Sequence, residues 1–292
     1  MKPKISVIIT NWNGFNIINK SLEVILQNSP EADEFIFIDD GSTDQSVLYV
    51  KSLQKTHPKL KLISQKKNHG FIHSSNKAVS QASGDLIVLL NNDIFPKNSY
   101  IKNSLPHFRN PQVFGVGFCE SNNPNYPRFF WKSGYIQYEP VPNPPKSHIT
   151  AWLSGGSSII KKEYFDKLKG FDPVYAPFYS EDLDLGYRAW KSGYKLIWEP
   201  KSIVEHHHGT TISKLPKRLV NYVKERNRLL TVYRNITDSK LLKNNRFHLI
   251  LRVLSGPNYI KIIRAAKKQT KKFPKPIVFP KLTDRQIFNL FR

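Results

Sequence analysis

Leu86-Ile87-Val88-Leu89-Leu90 runs straight into Asn91-Asn92-Asp93, and the fold turns on this junction. Five apolar residues in succession, with no polar alternation, suit a central parallel strand covered on both faces. In open sheets of that kind, ligands collect outside the carboxyl ends of the strands. Asp93 therefore stands where a metal or phosphate would be handled, although Asn and Asp also begin plain turns.

Upstream the same grammar repeats. Residues 5–10, 35–38 and 60–64 read as further strands, and residues 16–26, 46–53 and 74–82 carry the apolar spacing of helices. Alternation of this kind predicts an α/β fold: a parallel sheet with right-handed crossovers and a nucleotide site at its carboxyl edge. No Gly-x-Gly-x-x-Gly follows the first strand, where Thr10-Asn11-Trp12-Asn13-Gly14 stands, and no phosphate-binding Gly-Lys-Ser/Thr loop occurs. Dehydrogenase and P-loop readings lose most of their weight. Downstream, residues 122–147 are rich in Pro and Asn, which predicts an irregular excursion that shapes an acceptor cleft. Residues 195–198 read as a late strand.

A chain of 292 residues, 39% hydrophobic, holds one large α/β domain or one domain with an appendage. The single cysteine, Cys119, excludes an intramolecular disulfide framework and a multi-cysteine zinc site, and points to a reducing compartment. Met1-Lys2-Pro3-Lys4 leads directly into the first strand without the features of a signal peptide, and no apolar run is long enough to span a bilayer. The expected location is cytoplasmic. Residues 214–292 hold 21 Lys and Arg against Glu225, Asp238 and Asp284, a net of +18 out of +23 for the chain. Such a tail suits nucleic acid or anionic lipid.

Chemistry-bearing residues gather at the ends of the expected elements. They are Asp39-Asp40, Asp93, Glu181-Asp182 with Asp184 at the start of an amphipathic helix, and His206-His207-His208. Strand-end turns and helix N-termini also favour such residues. On an extended segment, His206 and His208 would share a face and His207 would oppose them.

The order of several motifs carries more than any one of them. These are residues 5–14, Phe37-Ile38-Asp39-Asp40-Gly41-Ser42-Thr43-Asp44, Asn68-His69-Gly70-Phe71 with Asn76, Gly84-Asp85 before Asn91-Asn92-Asp93, Gly170-Phe171-Asp172, Glu181-Asp182-Leu183-Asp184-Leu185 with Arg188, and Val204-Glu205-His206 with Gly209. With them the chain resembles the family 2 glycosyltransferases of the GT-A fold, more closely a rhamnosyltransferase-like branch of bacterial surface-polysaccharide and cell-wall synthesis. The resemblance covers residues 4–235. It implies a GT-A (Rossmann-like nucleotide-diphospho-sugar transferase) domain over residues 1–235 and leaves residues 236–292 as a basic, mainly helical C-terminal extension.

The resemblance further implies an inverting enzyme with a nucleotide-sugar donor of dTDP-rhamnose or UDP-hexose type, UDP-galactofuranose included, and a glycan or lipid-linked acceptor. A divalent metal, Mn2+ or Mg2+, is its implied cofactor; such an ion offsets charge on the leaving diphosphate. Asp93 takes the place of the last aspartate of the metal motif, and Asn91 replaces the first, so one charged ligand is lost; His206 matches a histidine that can complete the metal or the pyrophosphate site, as a neutral ligand to metal or a protonated partner of phosphate. Thr10, Asn11, Asp39, Asp40, Gly70, Asn76, Asn92 and Asp93 match donor-binding positions. Asp182 matches the catalytic base, with Glu181 and Asp184 beside it, and Trp152, Gly155 and Gly156 would shape the acceptor or donor-sugar side.

Phe247–Leu254 and Tyr259–Ile263, flanked by Lys and Arg and separated by Gly256-Pro257, suit either an interfacial helix on an anionic membrane surface or helices packed on the domain. The first alternative makes the protein peripheral on the inner face of a membrane. Two other readings compete with the enzyme: a nucleic-acid-binding protein and a degenerate scaffold of the same fold. Because the basic excess lies outside the α/β half and no standard nucleic-acid motif occurs, nucleic acid is not the expected partner.

Overall fold

The computed structural model describes residues 2–142, 145–207, 215–276 and 278–292. Strands β1 (Ile5–Asn11), β2 (Glu34–Asp39), β3 (Leu60–Ser64) and β4 (Leu86–Asn91) alternate with helices α1 (Phe15–Gln27), α2 (Ser46–Leu53) and α3 (Phe71–Gln81). Then come β5 (Ile94–Pro96), α4 (Tyr100–Ser104), β6 (Val113–Glu120), β7 (Asn125–Lys132), β8 (Tyr135–Pro142), β9 (His148–Ile149), β10 (Ser157–Lys161) and α5 (Lys162–Lys167). The chain continues with α6 (Glu181–Lys191), β11 (Lys195–His206), α7 (Lys217–Asn235), α8 (Ser239–Ser255), α9 (Tyr259–Lys272) and α10 (Asp284–Asn289).

Among the described residues the main sheet has nine strands in the order β3-β2-β1-β4-β10-β6-β11-β5, with β9 beside β11. β1 to β4 run parallel, while β10 lies antiparallel between β4 and β6. The chain leaves β1 toward β2 and β3 and returns on its other side as β4, so the strand order reverses between β1 and β4. Such a reversal opens a crevice at the carboxyl edge.

All five apolar residues of β4 are at most 3% exposed. Ile87 and Leu89 join a core with α3, α6 and α7, whereas Leu86, Val88 and Leu90 join another with α1 and α2. Alternate side chains thus serve opposite faces, as strand geometry requires. Fully burying each such side chain stabilises the fold by about 1.5–3 kcal/mol.

Three segments depart from the sequence reading. Most of the segment 122–147 expected as an irregular excursion is regular: β7 and β8 pair as an antiparallel ribbon from Asn125–Pro142 to Lys132–Tyr135, and residues 143–144 lie outside the described residues. This ribbon tolerates Pro127, Pro140 and Pro142 because a two-stranded ladder leaves outward N–H groups unneeded. β11 runs to His206, past Pro200, through a register shift between Glu199 and Ile203. α3 starts at Phe71, where Gly70 at φ +88° lets the chain enter the helix.

The C-terminal helices close over the α6 side of the core. Ile287, Phe288 and Phe291 are buried with Tyr187 and Trp190. Lys191, 5% exposed, points its ammonium at Asp284 Oδ1 (2.9 Å), which also accepts from Tyr187 Oη (2.9 Å), while Asp284 Oδ2 accepts from the Thr237 and Asp238 N–H groups. No helix among the described residues is long and apolar enough to cross a membrane.

Candidate active site

The crevice between β1 and β4 is bridged by amides. Asn92 Nδ2 donates to Asn11 Oδ1 (2.8 Å), and Asn11 Nδ2 donates to Asp39 Oδ1 (3.0 Å). Asp39 also accepts from Ser42 Oγ (2.6 Å) and Ser42 N (2.9 Å). Asp40 accepts from Gln65 Nε2 and from the His69 and Gly70 N–H groups, all at 2.8 Å. Both carboxylates are buried, and each has one of its roughly four acceptor positions left. They brace the strand ends and the 69–70 loop. Thr10 is half-buried beside them, and Trp12, 41% exposed, offers an aromatic face that the sequence reading gave no role. Asn76 lies apart from the crevice, its amide closing a pair of hydrogen bonds on the Phe171 backbone (2.8 and 3.0 Å).

At the β4 terminus the side chains of Asn91, Asn92 and Asp93 diverge. Asn91 lies so close to Gly156 that a Cβ there would fall 2.3 Å from its amide. Asp93 alone meets the histidine: its Oδ1 is 3.2 Å from His206 Nε2. The backbone brings them together, since β11 pairs with β5 through His206 and Ile94. On the other side, His206 Nδ1 is 3.0 Å from Glu120 Oε1, at the end of β6, and Ser157 Oγ donates to that same oxygen (3.1 Å). Burial pushes the His206 pKa down, but the carboxylates of Asp93 and Glu120 outweigh it and hold the ring up at about 9. His207 turns away to Glu205 Oε1 (2.8 Å), and His208, like Gly209, lies outside the described residues.

Glu120 was missed at the sequence level. The signal was present as a carboxylate ending an apolar run from Val113, but Gly115 and Gly117 disguise that run as a loop.

Among the described residues no three His, Cys, Asp or Glu side chains enclose a metal ion by themselves. Asp93 Oδ1 is nevertheless buried without an aligned hydrogen bond. The charge that faces it is the His206 ring itself, so a metal ion at this oxygen takes the place of the Nε2 proton. With the Nε2 proton displaced, one carboxylate and one neutral imidazole fit an ion that takes its remaining ligands from water and a substrate diphosphate.

Glu181 and Asp182 open α6 after Tyr179 and Ser180, both at positive φ (70° and 77°). Asn227 Nδ2 holds this loop by the carbonyls of Tyr175, Phe178 and Tyr179 (2.8–2.9 Å), and Arg226 holds that of Ala176. Burial pushes the pKa values of both Glu181 and Asp182 up; Asp182's charge raises Glu181 further, while the Leu183 N–H (2.7 Å) restrains Asp182. Glu181 Oε2 is buried without a partner.

Asp182 also lines a crevice of 10 Å³ with Leu89, Gly155, Ser158 and Phe171. That is about the room one water needs. Beside it, Tyr138 of β8 meets Trp152 edge-on (4.5 Å, 82°). Asp184 is enclosed instead, accepting from Tyr175 Oη, Arg188 Nε and Asn235 Nδ2 (2.7–2.8 Å), and so ties α6 to its surroundings.

Residues 155–158 join the two halves. Gly155 abuts Phe71 and Phe171, Gly156 abuts Asn91, and Ser157 reaches Glu120. The structure thus brings Asp93, His206, Glu120, Asn91 and Gly156 into one cluster and Asp182, Glu181, Gly155 and Trp152 into its neighbour. The arrangement suits a charged substrate held at the strand ends and a proton accepted at α6.

The profile of Glycosyl transferase family 2 matches residues 6–169. The chain is similar to N-acetylgalactosaminyltransferase 7 of Drosophila melanogaster, with 26% identity over 70% of this chain and 39% of that protein. It is also similar to the O-antigen chain rhamnosyltransferase RfbN of Salmonella typhimurium, with 27% identity over 71% of this chain and 68% of the relative. The chain spans only 36% and 39% of the length of the first curated relatives it matches. Among solved structures, GalNAc-T7 with UDP, GalNAc and Mn2+ superposes with a TM-score of 0.62 at 16% identity, over 94% of this chain and 58% of that one.

Proposed function

The chain belongs to glycosyl transferase family 2, and on that footing we propose that it is an inverting, divalent-metal-dependent glycosyltransferase. It moves a sugar from a nucleoside diphosphate to a hydroxyl of a glycan or lipid-linked acceptor in surface-polysaccharide synthesis. The observation that carries this reading is the buried, unaligned Asp93 Oδ1 against His206 at the β1–β4 crevice, next to a carboxyl pair whose pKa values are raised. Mn2+ and UDP in the GalNAc-T7 structure support the ligand class.

Asp93 and His206 would hold the cation, which when bound neutralises charge on the departing diphosphate. Asn11, Asn92, Asp39 and Asp40 fix the crevice floor that receives the nucleoside, with Thr10 and Gly70 at its rim. Asp182 accepts the acceptor's hydroxyl proton as that oxygen attacks the anomeric carbon, on the face opposite the breaking bond to phosphate. Burial raises the proton affinity of Asp182 and brings it closer to what a general base needs near neutral pH. Tyr138 and Trp152 provide an aromatic wall for an acceptor ring.

For the donor, similarity to RfbN, named for rhamnose transfer, favours dTDP-rhamnose over a UDP-hexose. Calorimetric titration with dTDP, UDP and GDP, each with Mn2+ or Mg2+, tests the reading. Metal-dependent binding of dTDP tighter than UDP is expected. Absence of any metal-dependent nucleotide binding, with salt-sensitive binding to DNA or RNA, would overturn it in favour of a nucleic-acid-binding protein.

A further inference from the structure

Helices α8 and α9 carry a surface that neither the core nor the proposed active site uses. α9 is conventional: Ile262, Ile263 and Ala266 face the core, and Lys261, Arg264, Lys267, Lys268, Lys271 and Lys272 are exposed. α8 differs. Leu242 and Leu249 pack inward, yet Phe247, Ile250, Leu251 and Leu254 are 56%, 60%, 42% and 74% exposed. Their spacing places them on one stripe of the helix. Exposed Lys240 and Lys243 extend the same stripe toward the N-terminus.

A helix half wrapped in solvent-facing apolar side chains lacks its cover, and contiguous patches of this kind mark docking surfaces. Charge selects the cover. From Ser239 to Lys272 there are ten Lys and Arg and no Asp or Glu. A second copy docking by the same face would set these cations against each other, at a cost that grows as water is excluded. Anionic lipid offers both what the stripe lacks and what the cations seek, and the lysine stems can lie along the apolar boundary with their ammonium groups at the headgroups.

We propose that α8 docks the protein on an anionic membrane surface, inserting Phe247, Ile250, Leu251 and Leu254 with Lys240 and Lys243 at the headgroups. The ribbon β7–β8 links that surface to the site. Gly134, in its turn, accepts from Asn245 Nδ2 (2.8 Å) and packs on His248, Trp131 Nε1 donates to Asn244 (2.9 Å), and Tyr135 Oη meets Tyr259 Oη (3.0 Å). Three residues further along β8, about 10 Å at strand rise, Tyr138 contacts Trp152 at the Asp182 end. Docking itself does not depend on the transferase reading; its use, bringing that end toward a lipid-linked acceptor, rests on it.

The test is co-sedimentation of the full chain with vesicles of phosphatidylglycerol and phosphatidylcholine, against phosphatidylcholine alone. The wild type should bind only the anionic vesicles, and F247S/L254S should bind them about tenfold more weakly, with K240E/K243E also weakened. Metal-dependent nucleotide binding should be unchanged in both, which separates this surface from the donor site. L254S alone, at the most exposed of the four positions, serves as the milder variant if the double one melts early. Equal binding by wild type and variants would overturn the proposal. So would a wild-type dimer that F247S/L254S splits while vesicles capture neither form.

Discussion

Asp39 and Asp40 end a strand, Glu181 and Asp182 begin a helix, and the two carboxyl pairs are kept in opposite conditions. The first pair accepts six hydrogen bonds from named neighbours, three to each carboxylate, and keeps only one acceptor position apiece for a ligand. In the second, Glu181 Oε2 is enclosed without a partner, burial raises both pKa values, and the preceding residues sit at positive φ. Each such backbone position costs about 1–3 kcal/mol, and it persists because surrounding contacts over-determine it. Here those contacts are Asn227 and Arg226 of α7. The side proposed for the donor is thus a braced floor, whereas the side proposed for the acceptor keeps a carboxyl pair whose hydrogen bonding is incomplete.

The sharpest way to break this contrast is Asp182→Asn. Turnover should fall by about 10²–10⁴-fold, with nucleotide binding unchanged and the melting temperature not lowered near neutral pH, since burial raises the Asp182 pKa; surviving turnover would place the base elsewhere. Metal removal comes next. EDTA should abolish transfer and Mn2+ restore it, and Glu120→Gln, which loosens the orientation of His206, should weaken Mn2+ by about 10–100-fold, read as the concentration that half-supports nucleotide binding.

Asp40→Asn should act in the other currency, costing about 1–3 kcal/mol in a urea melt, because its amide meets N–H donors that need an acceptor. Glu181→Gln should have the smallest effect, in the opposite direction. A carboxyl whose folded pKa lies above its unfolded value of about 4.3 adds stability only below that value, and loses it as pH rises through the folded pKa. Relative to wild type, the melting temperature of Glu181→Gln should therefore climb between acid and neutral pH. A gap that stays flat would mean that Glu181 is already compensated.

Legibility in the sequence followed the same division. Uninterrupted apolar runs made β2 and β4 plain, and β1 is broken only by Ser6; α2 and β3 also fall on their expected limits, although in β3 Leu60 alone is buried. The strand-end residues proposed for the donor, Asn11, Asp39 and Asp40 among them, were picked out by the ends of those runs. Glu120 was not, since Gly115 and Gly117 interrupt β6. Pro200 hid the second half of β11, which the register shift makes possible, and paired strands rich in proline hid Tyr138. Of the two tail segments, α9 turns most of its apolar face to the core, whereas α8 does so with Leu241, Leu242 and Leu249 and leaves Phe247, Ile250, Leu251 and Leu254 outside, a distinction that depends on tertiary packing and not on spacing.

Lys191 and Asp284 bury one another at the far end of the helix that starts with Asp182, with Tyr187 and the 237–238 backbone on the same carboxylate. During synthesis this helix leaves the ribosome about a hundred residues before its last anchor. Until residues 284–291 emerge, it carries an uncompensated cation and an uncovered aromatic face. The seat of the base proposed at Asp182 therefore depends on residues 284–291, and a chain cut after residue 280 should keep a folded β1–β4 floor while α6 lacks that anchor.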